Sequence, residues 1–340
     1  MDQIIEILAR ELGKDPRHVE NVVRLLDEGS TVPFIARYRK EATGGLDDTQ
    51  LRNLQEALVY GREMEERRAA VIASVTEQGK MTPELLAQIE AADSKQRIED
   101  LYLPFKPKRR TRAQIAIAAG LAPLADKLLA DPTLTPETEA AAFVSAEKGV
   151  ADVKAALDGA RDILAERFAE NADMLEMLRS WLWTHAFIVS AVVEDKRNTE
   201  EAAKFRDYFD YSEGINEVAS HRALALFRGR QEGVLTLKML LTEDEEALPV
   251  HPCQVKIADF LGLTNKGRAA DAWLASVVRW TWRVKCLTTL ETDLFTRLRN
   301  EAQEKAIGVF GTNLKDLLLA APAGHKGVIG LDPGIRTGVK

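Results

Sequence analysis

Apolar residues recur at intervals of three and four along most of this 340-residue chain, and that spacing predicts helix. Ile4, Ile5, Leu8 and Leu12 form one apolar face, which Gly13 closes as a C-terminal cap. Asp15-Pro16 opens a second helix through Val19, Val22, Val23 and Leu26. Two short helices joined by a tight turn are either a helix-turn-helix or an αα-hairpin that only packs, and periodicity does not separate them. After Gly44-Gly45, Asp47 or Asp48 caps a long helix bearing Leu51, Leu54, Leu58, Ile72 and Val75. Thr82-Pro83-Glu84 starts another, and Ser94 a further one that ends before Pro104. Asp131-Pro132 and Thr135-Pro136 punctuate residues 121–192, with Asp152 and Asp173 as N-caps. Trp181 and Trp183 fall in a hydrophobic helix through Ile188 and Val192 and read as core.

Three stretches stand apart. Residues 212–233 loosen into turns, and Val234–Leu240 alternates as the one strand expected before the C-terminus. Within 268–310, Trp273, Val277, Trp280, Val284, Leu287, Leu290, Leu294 and Leu298 make a single apolar stripe with no proline. A helix continuous from Asp271 to Ile307 would span roughly 55 Å, although Thr288–Glu291 fits a capping box and predicts a bend or fresh start there. At the end, Val328 and Ile329 lead through Asp332 into Pro333-Gly334, which reads as a buried strand meeting a turn. One strand cannot satisfy its own backbone groups, so the expectation is that its partners lie beyond Lys340.

Composition narrows the class. An apolar fraction of 46% and a charged fraction of 29% are ordinary for a globular protein, and abundant Ala, Leu, Glu and Arg favour helix. The formal charge of −7 argues against a surface that wraps nucleic acid everywhere, so any such contact needs a local basic patch. No apolar run reaches ~18 residues, and Met1-Asp2-Gln3 does not open a signal peptide. Cys253 and Cys286 make no disulfide framework. The expectation is a cytoplasmic protein with no membrane partner.

Four runs carry specific chemistry: Val32–Asp47, Glu99–Arg112, Ser220–Gly229 and Gly330–Lys340. Their order and spacing resemble the Tex family of bacterial transcription accessory proteins, across essentially the whole chain. The resemblance implies helical amino-terminal domains with a helix-turn-helix-like part, then a YqgF-type ribonuclease-H-like domain. Helix-hairpin-helix modules and a carboxy-terminal RNA-binding OB-fold would follow. The implied fold is mostly α, a multi-helix array with a long central helix and the first strand of a truncated α/β domain. Its parts would be a helix-turn-helix-like module (1–78), a central helical domain (79–233), a short strand region with the spine helix (234–325), and the start of the YqgF domain (326–340). The implied role is a non-catalytic, nucleic-acid-binding accessory to transcription. Its partners would be RNA or DNA bound without sequence preference, with RNA polymerase or the ribosome as protein partners.

Five of the seven residues 106–112 are basic: Lys106, Lys108, Arg109, Arg110 and Arg112. Pro104 and Pro107 are expected to hold them extended, and dense cations are what phosphate contacts require. The same run could equally dock on acidic helices of its own chain. Arg37, Arg39 and Lys40 flank Tyr38, a second candidate in which a base stacks beside phosphate contacts. There the helical spacing of Phe34, Ile35 and Tyr38 instead points to core.

Asp332 is the one candidate for metal chemistry, yet a two-metal nuclease needs several converging carboxylates. The resemblance implies a YqgF domain that lacks the full acidic set and serves as scaffold, which leaves Asp332 a vestigial carboxylate or a turn-former. A ribonuclease-H-like nuclease completed beyond Lys340, and a helical scaffold that touches no nucleic acid, remain the alternatives. His18, His185, His221, His251 and His325 form no spaced pair, and His251-Pro252-Cys253 is too isolated for zinc. No phosphate-binding loop or dinucleotide glycine fingerprint appears, so neither metal nor cofactor is expected.

Overall fold

The computed structural model describes residues 2–340 except 108–109, 243–247, 323, 332, 335–337 and 340. The described residues are mostly α-helical with one three-stranded antiparallel sheet. They divide into two compact units, Met1–Leu178 with Pro252–Cys286, and Arg179–His251 with Leu287–Lys340.

The first unit is helical and holds three apolar cores. Helices α1 (Asp2–Leu12), α2 (Pro16–Asp27) and α3 (Val32–Tyr38) enclose the first with the leading half of α4 (Asp48–Glu77). Leu8, Val19, Val22, Ile35, Leu51 and Leu54 form its centre. The Asp47–Gln50 capping box explains why α4 starts where it does, and its 30 residues reach on into the second core. There Val71 and Val75 meet Ile89 of α5 (Pro83–Ala91) and Ile98 and Leu101 of α6 (Lys95–Tyr102). The third core gathers α7 (Arg112–Ala118), α8 (Ala122–Ala130), α9 (Pro136–Ala141) and α10 (Val153–Ala169). Asp152 caps α10 as expected. Asp173 does not cap α11 (Ala172–His185). Asn171 Oδ1 accepts from Met174 N at 2.9 Å, while Asp173 pairs with Arg97.

In the second unit, α11 does not run on through Val192. Thr184 Oγ1 donates to the Trp181 carbonyl at 2.9 Å and closes the last turn. Strand β1 (Phe187–Val192) follows, and the β-branched residues of this stretch suit the pleat better than a helix. It lies between β2 (Asp210–Gly214) and β3 (Leu235–Leu240), both antiparallel to it. The stretch expected to be turns is therefore β2 and then α12 (Ser220–Gln231). A Cβ on Gly229 would sit 2.5 Å from Leu235 Cδ1, so the glycine is what lets α12 lie close on β3.

From Asp271 to Leu318 the helical run is unbroken but not uniform: α13 (Pro252–Leu261) precedes it, and α14 (Asp271–Trp280) passes through a π-helical turn, Thr281–Cys286, into α15 (Leu287–Leu318). The wider turn advances the buried stripe by about one residue per turn. Trp282 and Cys286 are buried where Trp280, Val284 and Leu287 were expected, and Val284 is exposed. No cap forms at Thr288. Glu291 instead accepts the Met239 amide of β3 at 2.8 Å. Residues 327–331 are not a strand, because nothing among the described residues pairs with them, and Val328 and Ile329 are exposed. The terminal pairing is Pro333–Gly334 with Gly338–Val339, and Asp332 lies outside the described residues.

Candidate nucleic-acid interface

The first motif run splits into anchors and a surface. Val32 and Ile35 point from α3 into the first core, with Leu46 beyond the turn. Residues 39–45 fold back as consecutive turns held on α2. Asn21 Nδ2 donates to the Ala42 carbonyl at 3.0 Å, Lys14 Nζ to the Gly44 carbonyl at 3.3 Å, and Thr43 Oγ1 to the Lys40 carbonyl at 3.2 Å. Phe34 and Tyr38 are not core residues. They are 38% and 59% exposed, with ring centroids 5.3 Å apart. A seven-residue helix anchored through Val32 and Ile35 has no room to bury a second stripe one position round. That i, i+4 aromatic pair beside an i, i+3 aliphatic pair was the signal that the helix has two faces.

Cations surround the two rings. The Arg39 guanidinium lies 5.3 Å from the Phe34 centroid and that of Arg37 lies 6.0 Å from Tyr38. Arg37, Arg39 and Lys40 are exposed and make no ion pair among the described residues. Glu41 is the single acid between Val32 and Leu46.

α2 presents a different surface. Arg17 is committed to Asp15 at 2.8 Å, and that hydrogen bond holds the Asp15 carboxyl at about 2, well below 3.8. Arg24 bonds Asn21 at 3.1 Å, and Asp27 meets Arg62 at 2.7 Å. Arg10 on α1 and Arg24 on α2 are single exposed cations without an ion pair among the described residues, whereas α3 and the turn after it gather three, Arg37, Arg39 and Lys40. Helix α3 follows α2 after a four-residue turn containing Gly29.

The second run also splits. Leu101 and Tyr102 belong to the second core, Tyr102 sharing a hydrogen bond with Ser74 at 3.0 Å. Glu99 is held by Arg67. Pro104 does not extend the chain: it lies in a 3-10 turn, Leu103–Phe105, whose φ suits proline. Lys106, just before Pro107, is extended with φ −63° and ψ 128°. Lys106, Arg110 and Arg112 are exposed without ion pairs among the described residues, whereas Lys108 and Arg109 lie outside them. Thr111 caps α7 and also bonds Glu166 at 3.0 Å, which fixes where Arg110 and Arg112 leave the surface.

The third run serves packing. Ala223, Leu226 and Gly229 are buried, and Arg222 meets Glu213 at 2.9 Å. Trp181 is half-buried and stacks on His185 at 4.7 Å, while the Arg297 guanidinium covers Trp183 at 3.8 Å. Cys253 and Cys286 are buried and form no disulfide, and burial pushes the Cys286 thiol up to about 12. Among the described residues no three His, Cys, Asp or Glu side chains converge as a metal site requires.

Comparison with known proteins accounts for both the fold and the motif runs. Residues 131–310, just over half of the chain, match the Tex central region-like family, and residues 2–76 match the Tex-like protein N-terminal domain. Protein YhgF of Escherichia coli K12 is 58% identical over 340 residues, covering all of this chain and 44% of that protein. Protein tex of Bordetella pertussis is 58% identical over 343 residues, covering 99% of this chain and 43% of its own. The transcriptional accessory protein Tex of Neisseria gonorrhoeae is 51% identical over 337 residues, covering 99% and 44%. The chain belongs to the Tex family. It spans less than half the length of these relatives.

Proposed function

We propose that this chain is a non-catalytic, nucleic-acid-associated part of a transcription accessory protein. It holds RNA or DNA through phosphate contacts without sequence preference. One observation carries the reading. In a protein of charge −7 whose arginines are widely committed to carboxylates, Arg37, Arg39, Lys40, Lys106, Arg110 and Arg112 stay exposed and free of ion pairs among the described residues. An internal docking role would have paired Lys106, Arg110 and Arg112 with acidic helices; Lys108 and Arg109 lie outside the described residues. Free guanidinium and ammonium groups supply phosphate contacts that are independent of base identity. The family membership and the name of the gonococcal relative support the transcriptional setting. Two buried cysteines that form no disulfide suit a cytoplasmic protein.

Filter binding of the 340-residue chain to single-stranded RNA across a salt series tests the proposal. Arg37→Ala/Arg39→Ala/Lys40→Ala and Arg110→Ala/Arg112→Ala should each weaken binding. Each should also flatten the slope of log affinity against log salt by about 0.7 per lost contact. Unchanged affinity and slope in both variants would favour a scaffold without nucleic-acid contact. Cleavage of the RNA on adding Mg²⁺ or Mn²⁺ would overturn the non-catalytic part.

A further inference from the structure

The α3 surface differs from a simple phosphate clamp. Phosphate contacts need only cations, and the second basic run supplies Lys106, Arg110 and Arg112 exposed, with no aromatic residue in the sequence between Lys106 and Arg112. On α3 two aromatic rings stand out of the surface inside the cation cluster, and burial does not account for them. Tyr38 is more than half exposed, and no hydrogen bond from its hydroxyl joins it to another described residue. Arg37 on α3 and Arg39 at its C-terminal cap each address one ring, and both rings keep exposed surface.

We infer that the Phe34–Tyr38 pair is a stacking platform for an unpaired nucleic-acid strand, with Arg37, Arg39 and Lys40 gripping the phosphates on either side. The inference rests on the nucleic-acid reading above and adds to it a preference for single strands over duplex. Three features favour this occupant. An exposed π-face flanked by guanidinium groups matches a base followed by its phosphate, and every base presents such a face whatever its identity. A paired base keeps both faces inside its own stack, so a duplex offers these rings nothing except its ends. Finally, α3 is seven residues, about 10 Å, which gives it little length to follow a major groove. The turn that ends the platform is fixed by the Asn21, Lys14 and Thr43 hydrogen bonds, which hold Arg39 beside Phe34 and place Lys40 next in the chain.

Fluorescence anisotropy with three labelled 20-nucleotide probes tests this: oligo-U RNA, oligo-dT DNA and a mixed-sequence DNA duplex. The wild-type chain should bind both single strands more tightly than the duplex at equal salt. Tyr38→Ala should lower single-strand affinity about ten-fold, within the range of one aromatic–base stack. It should leave duplex affinity within two-fold, whereas Tyr38→Phe should bind like wild type. An unchanged melting temperature for Tyr38→Ala, expected for so exposed a side chain, separates a lost stack from a lost fold. Binding of all probes that is insensitive to Tyr38→Ala overturns the platform and leaves the phosphate reading standing, as expected if the rings seat a protein. Equal losses on strand and duplex also overturn the platform. No binding of any probe overturns both.

Discussion

The imidazole of His18 occupies the space that a Cβ on Gly44 would need: the added carbon would lie 2.4 Å from His18 Nδ1. Gly44 also has φ of +64°, where L-residues are strained. This approach presses the turn after α3 onto α2, and that turn carries the free cations Arg39 and Lys40. Gly44→Ala should therefore cost about 1–2 kcal/mol for the left-handed backbone, and more for displacing the ring. Gly45 is the control, since its φ is +75° and nothing lies within 4 Å of its Cβ position. Thermal melts should rank Gly44→Ala below Gly45→Ala, and His18→Ala in the Gly44→Ala background should recover part of the gap. Equal melting temperatures for the two glycine variants would mean that the histidine contact does not hold the turn.

The π turn dictates which tryptophan matters for stability. Trp282 is 2% exposed, so truncating it should cost about 3–5 kcal/mol. Trp280 lies half-buried beneath the Arg161 guanidinium, 3.9 Å from its ring, and Trp280→Ala should cost about 1–2 kcal/mol through that cation–π contact. Urea denaturation followed by circular dichroism compares the two directly. Equal losses would show that the shifted register does not control burial.

The same turn shows where reading from sequence stops. Helix caps are local chemistry, so Asp15, Asp47, Thr82, Ser94 and Asp152 are legible from a few neighbours, and all five cap as expected. A π turn is not local in that sense. Thr281 bonds the Val277 carbonyl at 2.9 Å, but nothing in a 3.6-residue pattern marks the extra residue. β1 was obscured by Leu182 and Trp183 just before it, whose apolar spacing runs straight into Ile188. Its identity depends on β2 and β3 lying on either side, and those contacts are long-range. At the candidate interface the basic residues were legible by density alone. The exposure of Phe34 and Tyr38 was not, because aromatic residues at helical spacing look alike whether they face a core or solvent.

Asp271 links stability to pH. Its carboxylate accepts the Lys266 and Arg268 amides at 2.7 and 2.8 Å and the Arg268 Nε at 3.0 Å. The Arg268 side-chain bond is the largest cause that lowers its pKa from 3.8 to about 2. A depressed carboxylate stabilises the fold fully above its unfolded value and loses that contribution as pH falls through the folded one. Asp271→Asn should thus melt below wild type at pH 7. The gap should stay constant down to about pH 4 and narrow as pH approaches 2. A gap independent of pH would assign the effect to shape and hydrogen bonding rather than to the carboxylate charge.

The far half of α15 has an apolar face that no described residue covers. Ile307, Phe310, Leu314 and Leu317 follow at three- and four-residue intervals, and Leu317 and Leu318 are 73% and 75% exposed. Spacing of that kind puts them on one side of the helix, and contiguous exposed apolar surface of this sort takes up hydrophobic dyes and promotes association. The chain should therefore enhance the fluorescence of anilinonaphthalene sulfonate at neutral pH while fully folded. Leu317→Gln/Leu318→Gln should reduce that signal without lowering the melting temperature, since neither side chain contributes to a core. A melting temperature that falls with the dye signal would show that this stretch is packed in solution, and that the dye reports looseness elsewhere.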